Sequence, residues 1–267
     1  MSWSIGISSG ACTDCPILDI LPILAGAGAR GVELGTPPRH FDPWQEDQVR
    51  AVAHYIDHSP LQVVSIHAPF GAALDLADPN PHHRHGAIAA ILTSAAALGR
   101  VGGQLVIVHP SDLERHHHDA AARLADSAAS LSTLAHELRG TGQTLLVESP
   151  LPHLVGGHPD EFAWLLSQLD ESVGVCLDTG HTALGRAWRR FVDVSGKRLL
   201  HVHVHDNRGH HDDHLPPGQG VLDWPDIVAT LRATGFSGWL MLELAKPPRD
   251  AATYFRQALE NARILLA

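Results

Sequence analysis

The stretch GVCLDTGH, residues 174–181, is a short apolar run that ends on an aspartate and reaches a histidine three residues later. Four further apolar runs also read as β-strands that stop at an acid or a histidine: VVSIHAPF at 63–70, LVIVHPS at 105–111, LLVESP at 145–150 and LLHVHVHDN at 199–207. Another run, WLMLEL at 239–244, carries Glu243 near its end. If these strands are parallel and close into a barrel, their last side chains share one mouth. The pattern predicts a metal site at that mouth.

Strand-like and helix-like segments alternate along all 267 residues. The strands are expected near residues 4–8, 31–35, 63–67, 105–109, 144–148, 174–178, 199–205 and 238–243. The helices are expected near residues 14–28, 45–58, 82–99, 114–139, 159–169, 183–194, 225–234 and 250–266. Parallel strands need such crossover connections, and eight strand–helix units close a barrel. The sequence therefore predicts an α/β protein in which residues 1–267 form one (β/α)8 barrel domain.

An open, doubly wound sheet also alternates strands with helices. That fold binds its ligand at one switch point, usually beside a glycine-rich phosphate loop after the first strand. Here the first turn is SSGACTDC, residues 8–15, which contains no GxGxxG motif. The candidate ligands are also spread over six strand ends and two loops, so the sequence favours the closed barrel.

The composition is that of an ordinary globular enzyme, with 44% hydrophobic and 18% charged residues. The formal charge is −10, Lys197 and Lys246 are the only lysines, and no basic stripe marks a nucleic-acid surface. No stretch approaches the roughly 18 uninterrupted apolar residues of a membrane helix. The start, MSWSIGIS, lacks a basic segment followed by an apolar one. A cytoplasmic protein without a membrane span is therefore expected.

The cysteines and two histidine clusters are expected to have structural rather than functional roles. Cys12 and Cys15 form a CxxC pair, but no second pair follows at zinc-knuckle spacing, so an inert or weakly redox-active loop is expected. Cys176 lies inside an apolar strand and reads as a small buried residue. The histidine clusters at 82–85 and 116–118 fall in or beside surface helices, where solvation is expected.

The case for a metal rests on the whole set of strand-end residues. A lone strand-end histidine such as His67 is as often a hydrogen-bonded core residue as a ligand. Glu148 and Glu243, however, follow the apolar triplets LLV and LML. Burying an unpaired carboxylate costs several kcal/mol, and coordination to a metal removes that cost.

Two acid–histidine pairs extend this set. Asp178 and His181 are three residues apart in DTGH, and Asp212 and His214 are two residues apart in DDH. Either spacing lets both side chains face one ion. Carboxylate oxygens and imidazole nitrogens suit Zn²⁺, Mn²⁺, Co²⁺ or Mg²⁺. A divalent metal, with zinc and manganese foremost, is the expected cofactor.

Glu148, Asp178, His203 and Glu243 lie on later strands and resemble the metal quartet of the xylose isomerase-like TIM barrels. This superfamily includes sugar-phosphate isomerases and epimerases as well as the endonuclease IV enzymes (AP endonuclease family 2). The segment AGARGVELG at 27–35, and HVHDN with DDHLPPGQGVLDW within 203–224, are similar to the isomerase/epimerase branch. The resemblance covers nearly the whole chain and implies a TIM barrel.

The isomerase/epimerase branch implies one divalent ion and a sugar or sugar phosphate as substrate. The resemblance assigns proton transfer, through a metal-stabilised enediolate, to Glu148 and Glu243. It assigns the binding of substrate hydroxyls or of a phosphate to His67, His181 and Arg208.

The endonuclease IV branch implies instead a phosphoester hydrolase with up to three zinc ions. Its ligand set is matched throughout, by His67, His109, Glu148, Asp178, His181, His203, Asp212, His214 and Glu243. In such a site the resemblance implies that Glu148 would be the bridge between ions. No insertion interleaves arginines with aromatic residues as a DNA-probing loop would, and the net charge is acidic. The sequence therefore favours the isomerase or epimerase and keeps the hydrolase as the alternative. The sequence does not identify the sugar, and it does not decide whether the chain forms a homo-oligomer.

Overall fold

A computed structural model of the protein describes residues 3–116, 118–247 and 250–267. Its strands form a closed barrel in which neighbours follow the order of the chain. They are β1 (Ser4–Ser8), β2 (Gly31–Gly35), β3 (Gln62–His67), β4 (Leu105–Val108), β5 (Thr144–Glu148), β6 (Gly174–Asp178), β7 (Leu199–Val204) and β8 (Trp239–Leu242). All pairs are parallel, and β8 pairs with β1 to close the barrel. The predicted (β/α)8 barrel is confirmed.

Helices connect successive strands on the outside of the barrel. In the three described ranges they are α1 (Ile17–Gly26), α2 (Glu46–Asp57), α3 (Pro81–Arg100), α4 (Ala120–Glu137), α5 (Pro159–Ser167), α6 (Thr179–Leu184), α7 (Trp188–Ser195), α8 (Trp224–Thr234) and α9 (Ala251–Leu265). Short 3₁₀ turns, Ser9–Cys12 and Gly196–Arg198, precede α1 and β7. None of the helices in this part of the chain combines the length and apolarity needed to span a bilayer.

Two helix boundaries predicted from the sequence are wrong. The range 183–194 was expected to be one helix, but the chain turns between α6 and α7, where Arg186 has a left-handed φ of 52°. The range 114–139 was expected to be helical throughout, but α4 begins at Ala120. Glu114 forms a β-bridge with Leu154 instead, which holds the segment before α4 against the loop after β5.

The capping of α6 helps to position the mouth of the barrel. Asp178 ends β6, and its Oδ1 accepts the backbone N–H of His181 in the first turn of α6, at 2.7 Å. Such an N-cap satisfies one of the backbone donors that the start of a helix leaves free. The same bond fixes the direction of the Asp178 carboxylate.

The apolar core has two parts. The larger lies between the barrel and the helices and contains the fully buried rings of Phe41, Phe162, Phe191 and Phe255. The smaller consists of Ile107, Leu146 and Cys176, on the alternate faces of β4, β5 and β6 that point into the barrel.

Candidate metal centre

The candidate ligands gather at the C-terminal end of the barrel, and the space they enclose is here called the mouth. They end or directly follow their strands, as His67 on β3, His109 after β4, Glu148 on β5, Asp178 on β6 and Glu243 after β8, while His203 is next to last on β7. Because the strands are parallel, these side chains converge on one space.

Glu148, Asp178, His203 and Glu243 form a central cluster, in which one ligand atom from each lies within 4.8 Å of the others. The Nδ1 atom of His203 is 3.2 Å from Glu148 Oε1, 3.2 Å from Glu243 Oε2 and 4.0 Å from Asp178 Oδ2. One N–H group cannot serve three carboxylates. Within the described ranges, Glu243 Oε2 is buried and has no hydrogen-bond partner.

Glu148 connects the central cluster to a second group, which contains His67 and His109. Its Oε1 faces His203, whereas its Oε2 lies 3.2 Å from His67 Nε2 and 3.2 Å from His109 Nε2. Asp112 orients His109 from the other side, because its Oδ1 is 2.5 Å from His109 Nδ1. The two oxygens of Glu148 therefore face two different sets of nitrogens.

A third group consists of His181, His205, Asp212 and His214. The Oδ2 atom of Asp212 is 3.2 Å from His181 Nε2 and 2.9 Å from His214 Nε2, and its Oδ1 is 3.7 Å from His205 Nε2. The same nitrogen of His205 is 3.0 Å from Asp178 Oδ2. His205 thus joins the third group to the central cluster.

The loop between β7 and α8 carries Asp212 and His214, and Asp206 anchors it. The buried carboxylate of Asp206 accepts three backbone N–H groups of the loop and its neighbours, together with the indole N–H of Trp224 at 2.8 Å. Asp206 and Leu215 also exchange two backbone hydrogen bonds of 2.8 Å each. The loop therefore presents its two candidate ligands from a hydrogen-bonded base.

The buried acids and histidines of the mouth hold one another in their charged forms. Burial opposes ionisation of Glu148, but His203 and His109 beside it hold its pKa well below the ordinary value. Burial also opposes ionisation of Glu243, yet His203 and His214 lower its pKa to about 2. Burial disfavours the imidazolium forms, but nearby carboxylates raise the pKa of His181 to about 9 and that of His214 to about 10.

This set of donors fits a divalent cation. Imidazole nitrogens and carboxylate oxygens are the usual ligands of zinc and manganese. In the described residues, Glu243 Oε2 and Asp212 Oδ1 are buried acceptors without a hydrogen-bond donor. Metal binding releases protons from its ligands, so an ion would take the place of the protons on the histidines. The central cluster, with three carboxylates around one nitrogen, offers the most negative charge.

Two adjoining cavities open at the mouth. One, of about 410 Å³, is bordered by the loops after β1 and β2 and by Glu243 and Lys246. The other, of about 220 Å³, reaches Glu148 and His181. Phe70 borders both cavities, and its side chain remains exposed. Concave spaces of this size hold small molecules.

Arg208 lies outside this space. Its side chain is 66% exposed, its Nη1 is 3.2 Å from Asp213 Oδ1, and it borders neither of the two cavities. A contact between Arg208 and a substrate therefore stays a prediction.

The CxxC pair and the histidines of the 82–85 cluster do not belong to the groups of candidate metal ligands that the described residues form. Cys12 is buried, Cys15 is partly buried, and both are free thiols. Burial raises the pKa of the Cys12 thiol to about 11, which agrees with an inert loop. The histidines of the 82–85 cluster are exposed, as expected for solvated side chains. The 116–118 cluster includes residue 117, which lies outside the described residues.

The sequence analysis missed Glu33, His201 and His205, all of them fully buried in the barrel. Glu33 is an acid within the apolar run GVELG, which is the same signal that identified Glu148. His201 and His205 alternate with His203 in HVHVH, and side chains two residues apart in a strand face the same side. That alternation could have placed all three histidines inside the barrel.

Proteins with similar sequences or structures include the following three. Inosose dehydratase of Lacticaseibacillus casei is 24% identical over 276 residues, which covers 90% of this chain and 85% of that protein. The crystal structure of a D-tagatose 3-epimerase-like protein has a TM-score of 0.84 at 21% identity and covers 100% of both chains. D-psicose 3-epimerase with D-tagatose, from Clostridium cellulolyticum H10, has a TM-score of 0.83 at 17% identity and covers 100% of this chain and 99% of that one. The two structural similarities show a shared fold.

The sequence model of one protein family, described as the xylose isomerase-like TIM barrel, matches residues 21–265. This range extends from within α1 to the end of α9 and includes all the candidate ligands. The chain therefore belongs to the xylose isomerase-like TIM barrel family.

Proposed function

We propose that the protein is a divalent-metal-dependent isomerase or epimerase that acts on a sugar or a sugar phosphate. The observation that carries this proposal is the approach of Glu148 and Glu243 to one nitrogen of His203, each at 3.2 Å. Glu148 ends β5 and Glu243 directly follows β8, so the two acids border one reaction space from different strands. A pair of carboxylates in this position can remove and return a proton.

The similarity to a D-tagatose 3-epimerase-like protein and to D-psicose 3-epimerase supports the sugar class. Glu148, Asp178, His203 and Glu243 would hold the ion. When bound, the ion would draw electrons from adjacent carbonyl and hydroxyl oxygens of the sugar and so acidify the carbon-bound proton beside the carbonyl.

The two glutamates would divide the proton transfer between them. One glutamate, as the carboxylate, would take the proton from the substrate carbon, and the other, protonated as the carboxylic acid, would deliver its proton to the opposite face in an epimerase. In an isomerase the proton is delivered to the neighbouring carbon.

Other side chains of the mouth would bind and enclose the sugar. His67 and His181 border the smaller cavity, where their ring nitrogens can contact hydroxyl groups. Phe70 borders both cavities and offers an apolar face to the C–H groups of a sugar while it excludes water. Arg208 would join the substrate only after releasing Asp213.

Deuterium uptake from D₂O tests this proposal. The metal-loaded enzyme, incubated with a panel of ketoses and ketose phosphates, should place deuterium on the carbon beside the carbonyl of at least one sugar. Glu148→Gln and Glu243→Gln should each stop the uptake. Glu260→Gln, which changes an exposed glutamate on α9, should leave it unaltered. The metal content of each variant separates loss of proton transfer from loss of the ion, and no uptake with any sugar would count against the proposal.

A second candidate, a trinuclear phosphoester hydrolase, is favoured by one observation. The central cluster adjoins both the His67–His109–Glu148 group and the group around Asp212, as three neighbouring ions would require. A hydrolase of this kind would carry three ions per chain. It would incise DNA at abasic sites and lose that activity when His109 or His214 is replaced by alanine. We expect deuterium uptake and uncut abasic DNA; incision without uptake would promote the hydrolase.

A further inference from the structure

Glu33 is a buried acid outside the groups of candidate metal ligands that the described residues form. It lies on β2, where it is in register with Ser8 of β1 and Ser65 of β3. Both of its hydrogen bonds are made by Oε2, while its Oε1 is buried and, in the described ranges, has no partner. A half-satisfied buried carboxylate reduces stability. A local feature that lowers stability in this way points to a functional task.

The contact between Glu33 and His203 identifies that task. The Oε2 atom of Glu33 accepts the Ser65 hydroxyl at 2.8 Å and lies 3.1 Å from His203 Nε2. An ionised carboxylate can only accept, so Nε2 must carry the proton of this hydrogen bond. The other ring nitrogen, Nδ1, is the one that faces Glu148 and Glu243.

We infer that Glu33 is a positioning residue, which holds His203 in the Nε2–H form and thereby presents Nδ1 as the ligand atom of the metal centre. The inference rests on the metal site of the proposed function. In metal sites generally, the hydrogen bond of one imidazole nitrogen decides which nitrogen binds the ion, and a carboxylate partner fixes the ring and raises its basicity. Glu33 acts only through His203, whose ring lies between it and the central cluster.

His201 completes the surroundings of this hydrogen bond. Its ring is fully buried, with Nε2 3.7 Å from Glu33 Oε2 and its centroid 5.6 Å from that of His203. Neither of its ring nitrogens has a hydrogen-bond partner within the described ranges. His201 therefore packs beside the contact without competing for the Nε2–H of His203. A hydrogen bond enclosed in this way, away from water, is electrostatically stronger than an exposed one.

The test compares the zinc-loaded wild type with Glu33→Gln and Glu260→Gln. Zinc affinity is measured by competition with a chromophoric chelator, and ¹⁵N–¹H spectra of histidine-labelled protein report the Nε2–H of His203. In the wild type this proton should exchange slowly and resonate downfield. Glu33→Gln should move it upfield and weaken zinc binding by about 10–100-fold, the usual effect of losing such a partner. Glu260→Gln, the matched control, makes the same change at an exposed glutamate on α9 and should change neither quantity.

The outcomes separate this inference from the proposed function. If Glu33→Gln binds zinc as tightly as the wild type, with the resonance unmoved, the inference is overturned while the metal site stands. A wild type that binds no divalent metal overturns both. If Glu33→Gln does not fold, the spectrum of the zinc-loaded wild type tests the inference, because it shows which ring nitrogen of His203 carries the proton and which binds zinc. A hydrogen-bonded Nε2–H with zinc on Nδ1 supports the inference, and zinc on Nε2 overturns it.

Discussion

Replacement of Gly180 by alanine should destabilise the protein, although alanine is the better helix former. Gly180 lies in α6, and a Cβ added there would be 2.0 Å from His205 Cε1 and 2.5 Å from its Nδ1. His205 is itself held, because its Nε2 is 3.0 Å from Asp178 Oδ2 and its ring stacks on that of His214 at a centroid distance of 4.0 Å.

Two opposing effects set the size of this change. If the His205 ring moves, the protein loses a hydrogen bond to a charged group, which contributes about 1.5–3 kcal/mol. If the ring stays, overpacking costs about 1–3 kcal/mol. The higher helix propensity of alanine relative to glycine offsets at most about 1 kcal/mol of this loss. The net loss should be about 1–2 kcal/mol, which corresponds to a fall in Tm of roughly 2–8 °C for a chain of this size.

Thermal unfolding followed by circular dichroism, with a chelator present, measures this loss without a contribution from metal. Gly86→Ala is the matched control, since Gly86 lies inside α3 and a Cβ there would meet nothing within 4 Å. It should raise Tm by about 2–4 °C, because only the propensity gain remains. If Gly180→Ala stabilised the protein as Gly86→Ala does, the close packing of His205 against α6 would be refuted.

Three further predictions concern the site and its surroundings. Zinc at about 100 times its Kd should stabilise the folded protein by about 2.7 kcal/mol, and a calorimetric Tm rise of roughly 5–10 °C over the chelated protein would show it; an equal Tm in both would contradict binding. Asp206→Ala should lose about 3 kcal/mol, because the Trp224 indole and three backbone N–H groups lose their acceptor. Limited proteolysis should then cut the loop 207–223, whereas an intact loop would argue against the anchor. Iodoacetamide at pH 8 should modify Cys15 and spare Cys12, since burial raises the pKa of Cys12 to about 11 and its thiolate forms only as the pH approaches that value. Mass spectrometry locates the label, and early labelling of Cys12 would contradict its burial.

The barrel could be predicted from the sequence because its signals are local. Apolar runs that end on Glu148 or Asp178 indicate buried strands, and the regular spacing between them leaves room for one helix each. Parallel strands then bring their C-terminal residues to the same edge. The convergence of distant residues therefore follows from the topology alone.

The features that escaped prediction depend on contacts between distant segments. The start of α4 is delayed because Glu114 bridges to Leu154 and Arg115 pairs with Glu161 at 2.5 Å, contacts that lie across the loop after β5. The break between α6 and α7 falls at Arg186, directly after Gly185, which is the C-cap of α6. That glycine is a local stop signal that could have divided the predicted helix. Helix propensity, which acts locally, cannot foresee the contacts of Glu114 and Arg115.

The neighbours of the candidate metal site were harder to assign than the candidate ligands. Asp112 carries no strand-end signal, because it lies in the loop after β4, and only the fold brings its Oδ1 to 2.5 Å from His109 Nδ1. Glu33 lies early in the chain and 170 residues from its partner His203. Such partners are defined by register around the barrel, which a single sequence does not give.

Anomalous diffraction from crystals of the zinc- or manganese-loaded protein tests the metal centre most directly. We expect a strong peak bound by Glu148, Asp178, Glu243 and the Nδ1 atom of His203, at about 2.0–2.3 Å from the ligand atoms. Two more peaks, one at His67 and His109 and one at Asp212, would favour the trinuclear phosphoester hydrolase over the isomerase or epimerase. A loaded crystal with no peak among the four residues of the central cluster would contradict it.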